Sequence, residues 1–424
     1  MFQHRHLMIR PDPARTVVRP FAPGYPDRFR RPGHDRAQVI VDRVLGLDDE
    51  QLAAEERNVS LSLDERHRDV GPMLDHRFED MADQIAGADA IAPAQRRLIG
   101  AYFSEEYAFA AAALFNPSAV LHPDQSGLAD GQLRYLISLR GIGEGHVSSV
   151  AFRTGTWTPG GELCLDAASE VAVPPVITQN DSGDGVVCLD CSGSRDLSET
   201  VIFPVLPRQR QGIEDMRLVR FTEDDGGVRY YGTYTAFSGS DAKPELLLTE
   251  DFRHFAMKPL SGDAAGAKGM ALFPRRIDGR FVMLGRQDSE NIWLHHADEP
   301  TRWDGGAVLI APRYPWEFVQ MGNCGSPIEL DEGWLVLTHG VGTVRNYCMG
   351  AALLDKADPT KLLARTPKPI LEPSPDERDG YVPNVVYSCG ALLHGRELML
   401  PYGVSDQFTS FATCSVDELL AAMA

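Results

Sequence analysis

The 424-residue sequence predicts an all-β protein that is preceded by an N-terminal helical segment. Up to about residue 114, apolar residues recur at steps of three and four positions, which is the period of an α-helix. Beyond residue 115 the pattern changes to short strands separated by turns. Five times in this second region, a short strand leads through a turn into an apolar strand that ends on a polar residue. A pair that is repeated five times is typical of a β-propeller with five blades.

Three helices are expected in the N-terminal segment, over residues 36–47, 64–85 and 94–114. Asp64 can accept hydrogen bonds from the free N–H groups of a first turn, which makes it the candidate N-cap of the second helix. Gly71 and Pro72 kink or interrupt that helix. The change of pattern predicts two domains, an N-terminal arm and helical segment over residues 1–114 and a five-bladed β-propeller over residues 115–424.

The five strand pairs follow one another along the chain. Their members are residues 116–120 with 131–140, 213–221 with 227–235, 270–277 with 279–286, 325–330 with 333–339, and 383–387 with 395–402. The last three pairs are spaced by about 50 to 60 residues, which suits one four-stranded blade. The first interval is longer and leaves room for an insertion, for which the loop-like stretch 174–185 is the candidate. A β-sandwich with similar hairpins is the alternative, because patterning alone does not determine topology.

The composition limits the classes of function. A formal net charge of −19 at pH 7 disfavours nucleic acid and anionic membrane surfaces as partners. No apolar stretch reaches the roughly 18 residues of a membrane span, and no apolar region follows the basic N-terminus as in a secretory signal. The seven cysteines are scattered, and Cys188 and Cys191 have no second pair near them, so we expect thiols rather than a zinc site. The sequence therefore predicts a cytoplasmic protein.

A propeller brings residues that are distant in sequence to one central pocket. Its inner strands crowd the axis, so polar residues at or near the ends of these strands become neighbours. The set that this geometry predicts is polar and mixed in charge: Asn116, Arg140, Asp215, Lys268, Arg286, His339 and Asp406. Groups of these types are suited to binding sugars and phosphate.

Asp215 is the candidate acid of this pocket. It follows Glu214 at the start of a predicted inner strand. Cleavage of a glycosidic bond needs a proton donor at the leaving oxygen and a nucleophile at the anomeric carbon. If phosphate is the nucleophile, no second carboxylate is needed to activate water. The alternative for Asp215 is a turn carboxylate that accepts hydrogen bonds from backbone N–H groups.

Phosphate would have to be held by cations. Lys268 and Arg286 belong to one repeat, and His339 occupies the equivalent end position of the next repeat. Each of them alone is compatible with a surface salt bridge, but the three together favour an anion site. No metal and no organic cofactor is expected. The stretch 141–146 lacks the spacing of a dinucleotide-binding loop, and Gly269 after Lys268 departs from the P-loop pattern.

From about residue 116 to the C-terminus, short motifs occur in an order that resembles a known family. The motifs are Gly212-Ile-Glu-Asp-Met-Arg217, Leu272-Phe-Pro274 before Gly279-Arg-Phe-Val-Met-Leu284, Gly333-Trp-Leu335 before His339-Gly340-Val341, Ala352-Leu-Leu-Asp355 with Asp358-Pro359, Asn384-Val385-Val386, and Tyr402-Gly403 before Asp406. Their order and spacing are similar to those of glycoside hydrolase family 130, which contains mannoside phosphorylases and mannosidases.

The resemblance implies a five-bladed β-propeller and an inverting β-mannoside phosphorylase. Such an enzyme cleaves a β-mannosidic bond with inorganic phosphate and gives α-mannose 1-phosphate. The resemblance further implies that Asp215 is the general acid and acts through a sugar hydroxyl. The residues implied to bind the mannoside are Asn116, Arg140, Arg217 and Asp406. The residues implied to bind phosphate are Lys268, Arg286, His339 and Tyr347.

The usual Glu-Asp-Pro-Arg motif of the family has Met216 in place of proline here. This departure keeps the acid and the arginine but leaves the local loop geometry and the subgroup open. One alternative function is a β-1,2-mannosidase on the same fold, with water as nucleophile and Glu144 or Glu290 as the second carboxylate. A non-catalytic propeller is the other alternative, and it predicts exposed apolar patches and no acid in the channel.

The expected small-molecule partners are a mannoside and inorganic phosphate, the latter as co-substrate. The helical segment could shape the acceptor side of the pocket or form a subunit interface, so a homo-oligomer is left open. Linkage and acceptor sugar depend on loops that sequence patterning does not place. Both β-1,2- and β-1,4-linked mannosides remain candidates at this stage.

Overall fold

The computed structural model describes residues 2–26, 28, 35–180, 185–204, 206–266, 268–375 and 378–424. In this part of the chain, strands predominate over helices. The chain divides into two compact units: a helical unit of residues 14–108 and 170–174, and a β-rich unit of residues 1–13, 109–169 and 175–424. Within the described residues, no helix is both long enough and apolar enough to cross a membrane.

The helices are α1 (Arg36–Leu45), α2 (Asp49–Leu63), α3 (Val70–Glu79), α4 (Pro93–Tyr102) and α5 (Val416–Ala421). The strands are β1 (Gln3–Ile9), β2 (Val17–Pro20), β3 (Ser104–Tyr107), β4 (Ala113–Leu121), β5 (Leu133–Ile142), β6 (Ser148–Trp157), β7 (Leu163–Leu165), β8 (Val176–Asn180), β9 (Val187–Asp190), β10 (Val201–Ile202), β11 (Gly212–Thr222), β12 (Val228–Phe237), β13 (Ala242–Thr249), β14 (His254–Pro259), β15 (Ala271–Leu272), β16 (Phe281–Gly285), β17 (Ile292–Ala297), β18 (Ala307–Ile310), β19 (Gln320–Asn323), β20 (Ile328–Glu329), β21 (Trp334–Val341), β22 (Tyr347–Leu354), β23 (Leu362–Arg365), β24 (Val386–Tyr387), β25 (Leu392–His394), β26 (Glu397–Val404) and β27 (Phe408–Ser415).

The helical unit contains α1 to α4 and the two-stranded sheet β2–β3. Asp35 caps α1 by accepting a hydrogen bond from the backbone N–H of Ala37. Asp48 and Gln51 form a capping box at the start of α2, each side chain accepting from the backbone of the other. The helices share one apolar core, whose buried members are Val41, Val44, Phe78, Met81, Ile85, Ile91, Leu98, Ile99 and Phe103.

The bounds predicted for the second helix, residues 64–85, are wrong. Asp64 is the C-cap of α2, where its N–H donates to the carbonyl of Ser60, and not an N-cap. A separate helix, α3, begins at Val70, so Pro72 lies in the first turn, where a missing N–H breaks no intrahelical bond. Sequence reasoning missed α2 because none of its residues is fully buried, which leaves a weak apolar period.

The third predicted helix, residues 94–114, is correct only in its first half. Helix α4 ends at Tyr102, and the chain continues into β3 and then β4. The alanines at positions 110–113 favour a helix by propensity, yet Ala113 pairs with Ile142 as the first residue of β4. Pairing with a neighbouring strand and complete burial override that propensity.

The β-rich unit consists of five antiparallel groups that follow one another along the chain. All five predicted strand pairs are confirmed, as β4–β5, β11–β12, β15–β16, β20–β21, and β26 with β24 and β25. Further strands extend each pair, for example β17 and β18 in the third group and β22 and β23 in the fourth. A single parallel pairing, of Gly212 in β11 with Ser148 in β6, joins the first two groups into one sheet.

Each of the five groups packs on its neighbours. Separate apolar clusters join the first group to the second, the second to the third, the third to the fourth and the fourth to the fifth. The fifth group also meets the first, because Ser118 bridges to Gly390 and the N–H of Leu114 donates to the carbonyl of Gln407. Every group of the series therefore has two neighbours.

The stretch predicted to be a loop-like insertion, residues 174–185, is in part a strand. Within it, β8 pairs with β9, which in turn pairs with β14, so the excess length of the first interval extends the second group. Val176 and Ile177 are exposed on this edge strand, so no alternation of buried positions revealed it. Residues 181–184 of the predicted loop lie outside the described residues.

The N-terminal strand β1 belongs to the fifth group, where it pairs with β27 from Gln3–Thr413 to Ile9–Thr409. His4 adds a 2.9 Å hydrogen bond to the hydroxyl of Tyr402, and Arg5 donates to Thr413. Strand β1 thus pairs with the edge of β27 that faces away from β26. Residues 1–13 accordingly belong to the β-rich unit. The sequence-based division assigns them to the N-terminal arm and helical segment.

Deletion of residues 2–9 should lower the melting temperature by at least about 5 °C. It exposes the backbone edge of β27 and removes the buried side chain of Ile9, and each 1 kcal/mol lost shifts the melting temperature by about 2 °C or more in a protein of this size. Thermal unfolding followed by circular dichroism measures the effect. Met8→Ala, at an exposed position of the same strand, is the control and should shift it by about 1 °C at most. An unchanged melting temperature in the deletion would contradict the role of β1.

Candidate active site

Two β-bulges bring Asn116 and Asp215 together. The pairing register breaks between Phe115 and Ser118 in β4 and, at the corresponding place in β11, between Glu214 and Arg217. Asn116 and Asp215 have left-handed backbone conformations, with φ of 48° and 52°, which Asn and Asp adopt more readily than most residues. A bulge turns a side chain away from the regular alternation of its strand. As a result, Asn116 Nδ2 donates a 2.7 Å hydrogen bond to Asp215 Oδ1.

Arg140, near the end of β5, holds the carboxylates in place. Its Nη1 donates to Asp215 Oδ1 at 3.1 Å and its Nη2 to Glu214 Oε1 at 2.8 Å. Its Nε donates to Ser148 Oγ at 2.9 Å, which fixes the plane of the guanidinium. Lys268 Nζ lies 3.0 Å from the other oxygen of Glu214, so Glu214 is bonded by two cations.

A cluster of cationic and aromatic side chains lies beside these carboxylates. Arg217 is buried and donates through Nη2 to the hydroxyl of Tyr387 at 2.6 Å. Arg286 Nη1 lies 3.3 Å from Nε2 of His339. Gly269 packs between the two arginines, since a Cβ there would come within 3.8 Å of Arg286 and 3.9 Å of Arg217.

His339 is the buried centre of this cluster. Its ring stacks on Tyr347 at a centroid distance of 6.2 Å and meets the edge of Tyr387 at 4.9 Å. The ring has room only because residue 322 is a glycine, whose Cβ would lie 2.5 Å from its Cε1. Burial, together with the positive charges of Arg286 and Arg217, lowers the pKa of His339 well below 6.5. The imidazole is therefore neutral at neutral pH in this state.

Several buried polar atoms of the site lack partners. Among the described residues, none donates a hydrogen bond to Asn116 Oδ1, and none accepts one from Arg217 Nε or Arg286 Nε. No described carboxylate forms an ion pair with Arg286 either. Unpartnered buried polar groups are uncommon in proteins because their desolvation is costly. Both the hydrogen-bonding and the charge pattern therefore point to a site for a polar, anionic ligand.

Asp406 lies in the tight turn between β26 and β27, where Ser405 and Asp406 have φ of 50° and 49°. Burial and the nearby charge of Asp215 raise the pKa of Asp406 to about 6, although Arg140 and Arg345 oppose the shift. Burial alone would also raise the pKa of Asp215. There the charges of Arg140 and Arg217 and the hydrogen bond from Asn116 outweigh it, so the pKa of Asp215 is lowered.

The structure brings together all nine residues that the sequence singled out for the site: Asn116, Arg140, Asp215, Arg217, Lys268, Arg286, His339, Tyr347 and Asp406. Lys268 differs from the expectation in its contact, because its ammonium bonds Glu214. The carboxylates nearest Asp215 are Glu214 and Asp406; Glu144 and Glu290, named as second carboxylates, lie on exposed turns.

Two members of the site were missed by sequence reasoning. Glu214 was visible beside Asp215, but nothing in the sequence indicated that it joins Arg140 to Lys268. Tyr387 follows an apolar run and carries no signal of its contact with Arg217, 170 positions away. No group of three His, Cys, Asp or Glu side chains suited to a metal ion occurs in the part of the chain that is described.

A carboxylate held by amide and guanidinium donors, next to arginines with unpartnered buried nitrogens, suits a polar, anionic ligand. Residues 178–424 match the profile of glycoside hydrolase family 130, described as beta-1,4-mannooligosaccharide phosphorylase. A beta-1,2-mannobiose phosphorylase of Thermoanaerobacter sp. (strain X514) is 32% identical over 224 residues, which are 52% of this chain and 72% of the relative. The chain belongs to glycoside hydrolase family 130.

Two further similarities agree with this assignment. A 1,2-beta-oligomannan phosphorylase of the same organism is 32% identical over 228 residues, 53% of this chain and 75% of the relative. The solved beta-1,2-mannobiose phosphorylase of Listeria innocua, in complex with beta-1,2-mannobiose, superposes with a TM-score of 0.55 at 23% identity. It covers 73% of this chain and 92% of its own. The fold is shared, and the prediction of an enzyme of the glycoside phosphorylase class is confirmed.

Asp406→Asn should stabilise the protein at pH 7.5 by about 3 kcal/mol, the order expected for a shift of about two pKa units. The native state binds the Asp406 proton more tightly than the unfolded chain does, so stability falls as the pH rises from about 4 to above 6. The gain should therefore vanish near pH 4. Melting temperatures of the wild type and the variant across this range measure it.

Asp288→Asn is a control of opposite sign. Burial would raise the pKa of Asp288, but hydrogen bonds from Asn291, Glu290 and Trp293 outweigh it and lower the pKa. That variant should be less stable than the wild type at pH 7.5, and the loss should shrink in acid. A gain for Asp406→Asn that is independent of pH would argue against a charged Asp406 as its cause.

Proposed function

We propose that the chain is an inverting β-mannoside phosphorylase. It would cleave a β-mannosidic bond with inorganic phosphate and release α-mannose 1-phosphate. Inversion follows from the chemistry, because phosphate attacks the anomeric carbon from the face opposite the leaving oxygen. The bond from that carbon to the leaving oxygen breaks while the bond to phosphate forms, and the leaving sugar takes up one proton.

One observation carries this proposal. Arg286 and Arg217 each have a buried Nε without a partner, and burial together with their positive charges lowers the pKa of His339. Uncompensated positive charge of this kind is stabilised when an anion binds. A phosphate at this position would accept hydrogen bonds from both guanidinium groups, and it would raise the pKa of His339 so that the imidazolium can donate as well.

The opposite side of the site is suited to deliver the proton. We assign Asp215 as the general acid that acts through a hydroxyl of the mannosyl unit, as in the family that it resembles. Burial would raise the pKa of Asp215, but the charges of Arg140 and Arg217 outweigh it and lower the pKa. A bound phosphate would offset these positive charges and raise the pKa of Asp215. Phosphate binding would thus load the acid with its proton before the glycosidic bond breaks.

The remaining residues would bind the mannoside. Asn116 donates to Asp215 through Nδ2, and its Oδ1 has no hydrogen-bond donor among the described residues. Burial and the charge of Asp215 raise the pKa of Asp406 to about 6. Asn116 and Asp406 can both serve sugar hydroxyl groups, and Arg140 holds the carboxylates in position. Glu214 is less suited to activate water as in a hydrolase, because Arg140 and Lys268 both bond it.

We also infer that the β-rich unit closes as a five-bladed propeller. Its support is that every antiparallel group has two neighbours, the last one meeting the first. Contacts of the site, moreover, involve side chains from all five groups, which a ring with a central pocket explains.

Two further proposals concern the linkage of the substrate and the compartment of the protein. We propose a β-1,2-linked mannoside as substrate, since two relatives at 32% identity are phosphorylases of β-1,2-mannobiose and 1,2-β-oligomannan. All seven cysteines are free thiols, which agrees with a reducing compartment such as the cytoplasm. A homo-oligomer stays a prediction.

Turnover of β-1,2-mannobiose should require added phosphate and should yield a sugar phosphate and mannose in equal amounts. Product analysis with and without phosphate, on β-1,2- and β-1,4-linked disaccharides, measures this. Asp215→Asn should lose at least about 1,000-fold in kcat, because the transferred proton is removed. Since the pKa of Asp215 is lowered in the folded state, the variant should also be less stable than the wild type at pH 7.5, and a cooperative melting transition above the assay temperature shows that it is folded. Equal turnover in phosphate-free buffer would identify a mannosidase instead.

Arg286→Ala should raise the KM for phosphate by about tenfold or more and leave the KM for the disaccharide within about twofold. One charge-assisted hydrogen bond contributes about 1.5–3 kcal/mol, which is at least tenfold in affinity. Initial rates over a matrix of both substrates give the two constants. Arg275→Ala is the control in the same group of strands, where the guanidinium pairs with Glu329, donates to the carbonyl of Arg276 and lies over the ring of Trp334. Equal effects on both KM values would exclude Arg286 from the phosphate site.

A further inference from the structure

A stacked pair of rings stands apart from the contacts described so far. His146 and Tyr381 lie 235 positions apart, yet their rings stack at a centroid distance of 5.5 Å with an angle of 24° between the planes. The hydroxyl of Tyr381 also lies 2.8 Å from Nδ1 of His146. Even so, 53% of Tyr381 is exposed to solvent, and His146 is exposed as well. The pair is therefore ordered by two mutual contacts and still presents an aromatic surface.

Both members are anchored beside residues of the site. His146 ends the short turn Glu144–His146, which lies between Arg140 and Ser148, and these two residues hydrogen-bond each other. On the other side, Gly380 packs so closely on Ser405 that an added Cβ would lie 2.4 Å from its Cβ, and the N–H of Val382 donates to the Ser405 carbonyl. Ser405 immediately precedes Asp406. The pair thus connects the Arg140 side of the site to the Asp406 side.

The backbone around the pair is specialised to hold it. Gly145 and His146 have successive left-handed conformations, with φ of 69° and 59°. The turn Thr343–Arg345 of the fourth group repeats this geometry at Val344 and Arg345, and Arg345 acts electrostatically on Asp406. Equivalent turns of two groups therefore direct their last residue toward the same part of the site. Strained conformations of non-glycine residues are retained mostly where they serve a site.

The chemistry of the pair fits a sugar ring. One face of a pyranose carries C–H bonds only and packs on the electron-rich face of an aromatic ring, while its hydroxyl groups remain free for polar partners. Val382 packs against the apolar cluster of the fourth and fifth groups, and the adjacent Tyr381 side chain is the exposed one. A ring that stacks on His146 with one face has its other face available.

We propose that His146 and Tyr381 form the platform on which the acceptor sugar stacks, the unit that leaves with the proton in phosphorolysis and attacks α-mannose 1-phosphate in the reverse direction. This inference rests on the proposed phosphorylase function and adds the residues that position the second sugar. Stacking and the hydrogen bond between the Tyr381 hydroxyl and Nδ1 of His146 make His146 a positioning residue for the Tyr381 ring.

The test compares the full-length wild type with Tyr381→Ala, Tyr381→Phe and His146→Asn. Asparagine is chosen because it tolerates the left-handed conformation of residue 146. Tyr381→Ala should raise the KM for β-1,2-mannobiose, and for mannose in the reverse reaction, by roughly three- to tenfold, as expected for one lost aromatic contact. The KM for phosphate should stay within about twofold. Tyr381→Phe keeps the ring but loses its hydrogen bond with His146, so its sugar KM values should lie between those of the wild type and Tyr381→Ala, as should those of His146→Asn.

Tyr102→Ala removes an exposed tyrosine of the helical unit and is the matched control. The melting temperature shows whether Tyr381→Ala is folded. Unchanged KM values for β-1,2-mannobiose and mannose in the folded variant would overturn the platform. So would an equal rise in the phosphate constant, which indicates a general distortion. Failure of the proposed function appears separately, as a wild type without phosphate-dependent turnover. In that case, calorimetry measures the binding of β-1,2-mannobiose to both proteins without phosphate. Weaker binding by Tyr381→Ala than by the wild type supports the platform. Equal binding by the two proteins, or no binding by the wild type, overturns it.

Discussion

Arg140 makes the interaction on which the rest of the site depends. Its three donors reach Asp215, Glu214 and Ser148, so one guanidinium sets the position of two carboxylates and is itself fixed by a hydroxyl. Without this cation, Asp215, Glu214 and Asp406 would repel one another in a partly buried place. Because Arg140 is near the end of β5 and the two carboxylates that it bonds lie in β11, the contact also joins the first group of strands to the second.

The division of charge across the site explains how one pocket can perform two tasks. Around Asp215, cations and carboxylates pair with one another, so the acid is held in a defined position. Around His339, the cations Arg286 and Arg217 find no carboxylate partner among the described residues. In the proposed mechanism, phosphate would bind in the second region and, by its own charge, would raise the pKa of Asp215 in the first. Electrostatic coupling of this kind would link phosphate binding to protonation of Asp215.

Sequence reasoning was accurate where short-range chemistry carries the information and inaccurate where contacts decide. The strand pairs were visible because turn residues and apolar runs lie close together in the chain. Helix α2 and strand β8 were missed, since neither buries a regular face. Lys268 was recognised as a cation of the site, but its partner Glu214 was not, because a salt bridge depends on a distance that no spacing in the chain encodes.

By itself, the sequence determined the succession of five strand pairs, the family and the types of side chain available to the site. It did so because local backbone preferences and motif order are properties of neighbouring residues. The tertiary structure alone decided which charges are paired, which polar atoms stay without a partner, and that Tyr381 meets His146. Electrostatic and stacking energies depend on separations of a few ångströms and on burial, and both arise only when the five groups pack together.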